Sequence, residues 1–310
     1  RKAISEYLSH PQHTNMVVDF LGASSESSAL NWHVDYLRVT VWMDLDNFLT
    51  IWGNTFADVL GLWVDQGHGG RYYKDTWAAP LGVKLYLHPS PVWASSHQMT
   101  IEIPGAACQQ VGWEGLKEFY ISLYVAAERI SSSRIDLAWD GVSFHPQDVY
   151  KAFCAGEVRT FVKRKSNNLR KVDYSPVDWF ENPFQIAENG RMGCSTVGIG
   201  SRSSTRYLRV YDKHGATRVE LELKEEKSKQ VADDLFLMEG SIEDICVRAM
   251  GHLRDFIDFH TSWWVEFTKG IVRANMKLSA GVPAAIDAES IVNWIYKQVG
   301  AALSVVNDIY

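Results

Sequence analysis

The chain has 310 residues, 46% of them hydrophobic and 22% charged, which excludes a disordered or collagen-like chain and leaves room for one large domain or two modest ones. No apolar run approaches the ~20 residues that span a bilayer, so no membrane association is expected. The formal net charge of −6 argues against a surface coated in basic residues, although a local basic groove is compatible with it.

Residues 1–31 are polar and rich in serine and read as a lead-in. Alternating β-branched and aromatic residues predict a strand over Trp32–Met43. Asp44 is placed to cap a helix over residues 45–63, whose Leu45, Phe48, Trp52, Phe56 and Leu60 recur at helical spacing. Short strands are expected at Gly70–Trp77, Gly82–Leu87 and His97–Ile103, then a helix over Glu114–Ala127 and a strand over Ser133–Asp140. A similar order recurs. A helix runs from Pro146 to Cys154, and a strand over Val158–Val162 precedes a long polar stretch to Gly193. Strands follow at Ser195–Gly200, Thr205–Lys213 and Thr217–Lys224, with helices over Glu225–Leu237 and Ile242–Phe259. The recurrence predicts an α+β fold of two pseudo-repeated halves sharing one sheet. Residues 32–267 form the expected main domain, and 268–310 a partly helical C-terminal segment.

Three strands carry the chemistry. Period-two geometry sets Arg134, Asp136 and Asp140 on one face of their strand, and Tyr207, Arg209, Tyr211 and Lys213 on one face of theirs. On the third strand it does the same for Arg218, Glu220, Glu222 and Lys224. One such strand alone reads as the solvated side of an amphipathic sheet. The second and third, however, are joined by the tight connection at His214 and Gly215, so their polar faces share one side. If the Asp136 strand pairs nearby, up to four carboxylates meet a tyrosine. Such an oxygen-rich cluster suits Mg²⁺ or Mn²⁺, and a metal beside a tyrosine suits phosphodiester cleavage.

Basic residues are the candidate DNA contacts, a solvated loop and a plain hairpin turn being the alternative readings. Lys163, Arg164 and Lys165 open the densest basic run, Arg202 and Arg206 flank a small-residue turn, and Arg134 and Arg209 lie on the polar strand faces. The segment Thr196–Ser204 lacks the third glycine of a dinucleotide loop and the GK[ST] of a P-loop, which argues against ATP or NAD. The cysteines, Cys108, Cys154, Cys194 and Cys246, form no CxxC pair and read as isolated thiols. No HExxH, GxSxG or His-x-His pattern is present.

The series RIDLAWD, TVGIGSRSSTRYLRVYDK and RVELELK, with HVDYLRVTV and HQMTIEIPG before them, resembles the replication initiation factor family of rolling-circle plasmids, integrative elements and filamentous phages. The resemblance spans roughly residues 32–275. It implies a large curved antiparallel sheet with helices packed on one side, related to the His-hydrophobic-His nicking endonucleases without their histidine pair. It implies Tyr211 as nucleophile and Asp136, Glu220 and Glu222 as ligands of a divalent metal, with Asp140 or Glu102 able to substitute. Only about a thousandth of a free tyrosine is phenolate near pH 7, and Lys213 is the expected stabilising cation. The implied activity is nicking of one strand at an origin, leaving a 5′-phosphotyrosyl link and a 3′-hydroxyl primer, followed by rejoining. The implied partners are single-stranded or supercoiled origin DNA and a host helicase, in the cytoplasm of a bacterial cell; a homodimer is compatible. A conjugative relaxase shares this chemistry. A noncatalytic nucleic-acid-binding protein using the same sheet would bind without a covalent adduct.

Overall fold

A computed structural model describes residues 31–90, 97–160, 172–175, 195–213 and 216–268. The expected lead-in (apart from Asn31), the C-terminal segment (apart from Thr268) and the basic run Lys163, Arg164 and Lys165 lie outside the described residues.

The strands are β1 (Asn31–Trp42), β2 (Val64–Asp65), β3 (Tyr73–Ala78), β4 (Lys84–Pro89), β5 (Gln98–Pro104), β6 (Arg129–Val142), β7 (Val158–Thr160), β8 (Val172–Ser175), β9 (Thr196–Gly200), β10 (Arg206–Lys213), β11 (Ala216–Lys224) and β12 (Ile257–Phe259). Ten of them form one sheet in the order β2-β3-β4-β5-β1-β6-β11-β10-β9-β8. Every pairing in it is antiparallel. β12 and β7 make a separate two-stranded ribbon. β1 and β6 pair at the centre, and each is followed by helix, then strands stepping inward from the edge, then helix. The two halves are therefore related by a pseudo-two-fold axis between β1 and β6, as the recurring element order predicts.

The helices are α1 (Leu45–Thr55), α2 (Ala57–Leu60), α3 (Gly105–Ala126), α4 (Pro146–Ala155), α5 (Glu225–Phe236), α6 (Ile242–Phe256) and α7 (Ser262–Thr268). α3 packs on β1, and α5 packs on β6 and β11. Their apolar faces meet the sheet residues Leu37, Ile135, Leu137, Trp139, Val210, Val219 and Leu221, all fully buried. α3 and α5 meet through stacked rings, Trp113 on Phe236 at 5.0 Å and Tyr120 on Phe236 at 4.7 Å. Ser132 and Ser228 share a buried hydrogen bond of 2.6 Å between β6 and α5. With one face of the sheet consumed by helices, the charged residues of β6, β10 and β11 are left on the other.

Several elements depart from the sequence expectation for identifiable reasons. The helix expected over residues 45–63 breaks at Phe56, whose φ of −128° is not helical. The one expected from Glu114 already begins at Gly105; it bends at Gly112, whose φ of 73° only glycine adopts without strain, and the bend hides the first two turns from a periodicity search. The helix over Ile242–Phe259 stops at Phe256, and Ile257–Phe259 instead pairs with β7. Short apolar runs carry no periodicity that separates helix from strand. Here buried Asp258 accepts from Arg254 Nε at 3.1 Å and Trp264 Nε1 at 2.9 Å, which ties the extended segment down. Strands β2 and β8 and helix α7 were not expected at all, being too short to carry a pattern.

Asp234 links α5 to α6. It accepts from Arg248 Nε at 2.7 Å and lies 2.7 Å from His252 Nε2. Burial works to raise its carboxyl, but the hydrogen bonds from His252 and Arg248 prevail and hold it at about 2. A carboxylate depressed in the fold stabilises fully above its unfolded value and loses that contribution as pH falls through the folded one. Asp234→Asn is expected to cost about 2 kcal/mol at neutral pH. The difference between variant and native protein should shrink as pH falls from about 4 to about 2, as followed by urea unfolding at each pH.

Candidate active site

The β6–β11 pairing sets Asp136 directly opposite Glu222, and Arg218 opposite Asp140. The β10–β11 pairing sets Arg209 opposite Glu220 and Tyr211 opposite Arg218. The hairpin and its neighbour thus bring Asp136, Glu220, Glu222, Arg134, Arg209 and Tyr211 onto one polar surface.

Tyr211 donates its hydroxyl to Glu220 Oε2 at 2.8 Å, and Arg209 Nη2 bonds the other oxygen of the same carboxylate. The guanidinium of Arg209 also lies 5.5 Å from the Tyr211 ring centre. Burial, and next the negative charge of Glu220, raise the phenol above its usual range, against the lowering pull of Arg218 and Arg209. Tyr211 is therefore a protonated phenol in direct contact with a carboxylate. Lys213, expected to stabilise its phenolate, shares the strand face but acts on Asp35 and Asp140, helping to hold both low. Two arginines take the expected place of the lysine beside Tyr211.

Asp136 is 2% exposed and Glu220 fully buried. Arg134 grips Asp136 through Nε at 2.9 Å and Nη2 at 2.6 Å, and reaches Glu222 at 2.8 Å; Lys224 lies 2.5 Å from the other Glu222 oxygen. Burial nevertheless pushes the Asp136 carboxyl up to about 7; Arg134 opposes the shift, while Glu220 and Glu222 add to it. The trio faces three cations, Arg134, Arg209 and Lys224. Its hard oxygen donors suit Mg²⁺ or Mn²⁺ in kind. Among the described residues no three acidic or imidazole groups are already drawn together as ligands, because Arg134 and Arg209 hold the oxygens.

Asp140, also expected as a ligand, stands four residues from Asp136 on the same strand, about 13 Å along it. Both its oxygens go to Arg218, through Nη2 at 2.5 Å and through Nε. Arg218 is 1% exposed and also bonds Asp35 Oδ1 at 2.6 Å and His33 Nε2 at 3.1 Å. Burial would raise Asp35 and Asp140; hydrogen bonds and charge from Arg218 and His33 outweigh it, and both carboxyls are lowered. Sequence reasoning assigned no role to Arg218, His33 or Asp35. A β-bulge between Val34 and Tyr36 brings Asp35 to this cluster, and alternation counts cannot anticipate it.

The remaining expected contacts scatter. Arg134 and Arg209 are engaged with carboxylates. Arg206 lies 3.5 Å from Asp255 and over Phe256, and exposed Arg202 lies over the Tyr207 ring at 5.6 Å. Tyr207, on the same strand face as Tyr211, is buried against Gly198, where even a β-carbon would fall 2.0 Å from its hydroxyl.

The family described as replication initiation factor matches residues 131–310, which include β10, β11, β6 from Ser131 onward and every residue of the Tyr211 cluster. The chain belongs to this family. No curated protein matches the sequence. Among solved structures, the rolling circle replication initiator protein from Geobacillus stearothermophilus is similar over 78% of this chain and 97% of its own, with 18% identity and a TM-score of 0.58. That likeness is one of fold and extends into the N-terminal half, which the family match does not reach. In this replication initiation factor, then, the matched half carries the tyrosine and the acidic trio, and β1 of the other half contributes His33 and Asp35 to the Arg218 cluster.

Arg218→Ala should leave the half-buried Asp35 and Asp140 without their buried cation. The expected cost is about 3–5 kcal/mol, measured by urea unfolding. Because Arg218 lies opposite Tyr211, the loss should appear in stability and in activity together.

Proposed function

We propose that the chain is a rolling-circle replication initiator that nicks one DNA strand through Tyr211. The observation that carries this reading is the Tyr211 hydroxyl donating to buried Glu220 between two guanidiniums, on the polar face of the sheet. Glu220 is placed to take the phenolic proton as the Tyr211 oxygen attacks phosphorus. The bond to the 3′ oxygen breaks, that oxygen leaves as a hydroxyl after receiving a proton, and the 5′ phosphate stays on the tyrosine. One ester replaces another, so no nucleotide cofactor is consumed and the reverse attack rejoins strands. Arg209 and Arg218 supply positive charge beside the phenol as its negative charge develops. Asp136, Glu220 and Glu222 would hold a divalent cation, Mg²⁺ or Mn²⁺, which would polarise the scissile phosphate. Arg134 would have to release carboxylate oxygens for that. The described residues contain no helix long and apolar enough to cross a membrane. With no P-loop in the sequence, strand separation would fall to a host helicase.

Supercoiled cognate origin DNA provides the test. The native protein should convert it to open circles and form a covalent adduct; Tyr211→Phe should abolish both while unfolding and DNA binding stay nearly unchanged. An adduct peptide mapping to Tyr207 would overturn the assignment.

Glu220→Gln should slow nicking by about 10²–10⁴-fold, the usual worth of a positioned general base. Mn²⁺ binding, followed by electron paramagnetic resonance of the free ion, should weaken in Asp136→Asn. Full nicking in excess chelator, with no Mn²⁺ bound, would remove the metal from this reading.

A further inference from the structure

The N-terminal half repeats the geometry of the tyrosine site with its charges changed. Tyr211 lies opposite Arg218, two residues before Glu220, and donates to Glu220. Tyr86 lies opposite Thr100, two residues before Glu102, and donates to Glu102 Oε2 at 3.0 Å. Around Glu102, however, the neighbours are cations. Arg71 Nε lies 2.5 Å from it, Arg38 Nη1 lies 3.4 Å from it, and exposed Lys84 stands directly opposite on β4. Arg38 in turn faces Arg134 across the β1–β6 pairing, a like-charge pair that an anion would relieve. Arg38, Arg71 and Lys84 thus share one carboxylate here, where Arg134, Arg209 and Lys224 of the other half share three.

An independent feature stands over the same spot. Gly70 and Tyr73 exchange backbone hydrogen bonds of 3.1 and 2.8 Å, closing a two-residue turn whose central residues, Arg71 and Tyr72, have φ of 50° and 69°. A turn with both central residues at positive φ favours Asn-Gly; bulky side chains there are strained. In this turn Arg71 lies against Glu102 and Tyr72 is 85% exposed. Tyr73 pins the turn from below, its hydroxyl 2.7 Å from Thr100 Oγ1. An exposed aromatic ring beside an unbalanced group of cations is what holds a single strand, the ring stacking on a base and the cations meeting phosphates.

We propose that the Arg71–Tyr72 turn, with Lys84 and Arg38, clamps a stretch of single-stranded DNA on the N-terminal half without cleaving it. Arg71 and Lys84 meet the backbone phosphates and Tyr72 stacks on a base. Cleavage does not occur there because Tyr36 and Pro104, paired on β1 and β5, stand where Asp136 and Glu222 pair in the other half, and Tyr86 is buried beneath Arg71. The proposal rests on the reading that the Tyr211 face handles DNA, and extends it to the half that the family match does not cover.

The test uses the full chain, labelled oligo-dT for binding, and adduct formation on a single-stranded origin oligonucleotide. Arg71→Asn combined with Tyr72→Gly restores favoured turn residues, and Glu102 keeps Tyr86 and Arg38 as partners, so the melting temperature should hold or rise. Affinity for oligo-dT should nevertheless fall roughly tenfold or more. Lys84→Ala alone should flatten the slope of log affinity against log salt by about 0.7. At saturating oligonucleotide the double variant should form the Tyr211 adduct at the native rate, with only the half-saturating concentration raised. Unchanged oligo-dT affinity and salt slope in a folded double variant would overturn the clamp, as would an adduct mapping to Tyr86. If the native protein forms no adduct yet the variants lose oligo-dT binding, the nicking reading fails and the clamp stands.

Discussion

Asp136 faces Glu222 across the β6–β11 pairing, and two carboxylates so placed on a buried sheet face repel unless something lies between them. Arg134 supplies that, gripping Asp136 with two nitrogens and reaching Glu222 with one of them. The rest of the polar face is organised by the same necessity. Each carboxylate of this face has a guanidinium, Arg209 for Glu220 and Arg218 for Asp140 and Asp35, and each guanidinium reaches across strands. Removing one partner of such a pair is costly because the charge left behind has no water to turn to. The cross-strand pairs thus hold the register that puts Tyr211 against Glu220.

The two halves use one backbone plan for two electrostatic purposes. A tyrosine on the hairpin strand reaches diagonally to a glutamate on its neighbour in both, Tyr211 to Glu220 and Tyr86 to Glu102. In the C-terminal half acidic groups accumulate around that pair, a setting for a hard cation and for proton transfer. In the N-terminal half Arg38, Arg71 and Lys84 accumulate, a setting for anions. The net charge of −6 hides this division, since a sum over the chain says nothing about where the field is focused.

Much of the site was legible from strand alternation. The polar faces of Arg134–Asp140, Tyr207–Lys213 and Arg218–Lys224 can be read two residues at a time, and the tight connection after Lys213 commits two of them to one side. The same alternation puts Tyr207 on the face of Tyr211 but does not report that it is buried, because facing does not show what packs on top. It also assigned the cation beside Tyr211 to Lys213. Lys213 instead acts on Asp35 and Asp140, while Arg209 reaches the phenol through Glu220 and Arg218 across the hairpin.

The amino-acid sequence by itself determined the α+β class, the two-fold recurrence of elements and the tyrosine and carboxylates that share a sheet face, because these depend on short-range periodicity and on one tight turn. Only the tertiary structure decided which carboxylates are bridged by which arginines, that Asp140 belongs with Arg218 rather than with Asp136, and that a bulge carries Asp35 into that cluster. It alone decided that Arg71 and Tyr72 occupy a turn fitted for smaller residues. Those outcomes hang on the register between strands far apart in the chain, on bulges that shift it by one residue, and on burial, which turns a surface charge into one that must find a partner. No local pattern encodes them.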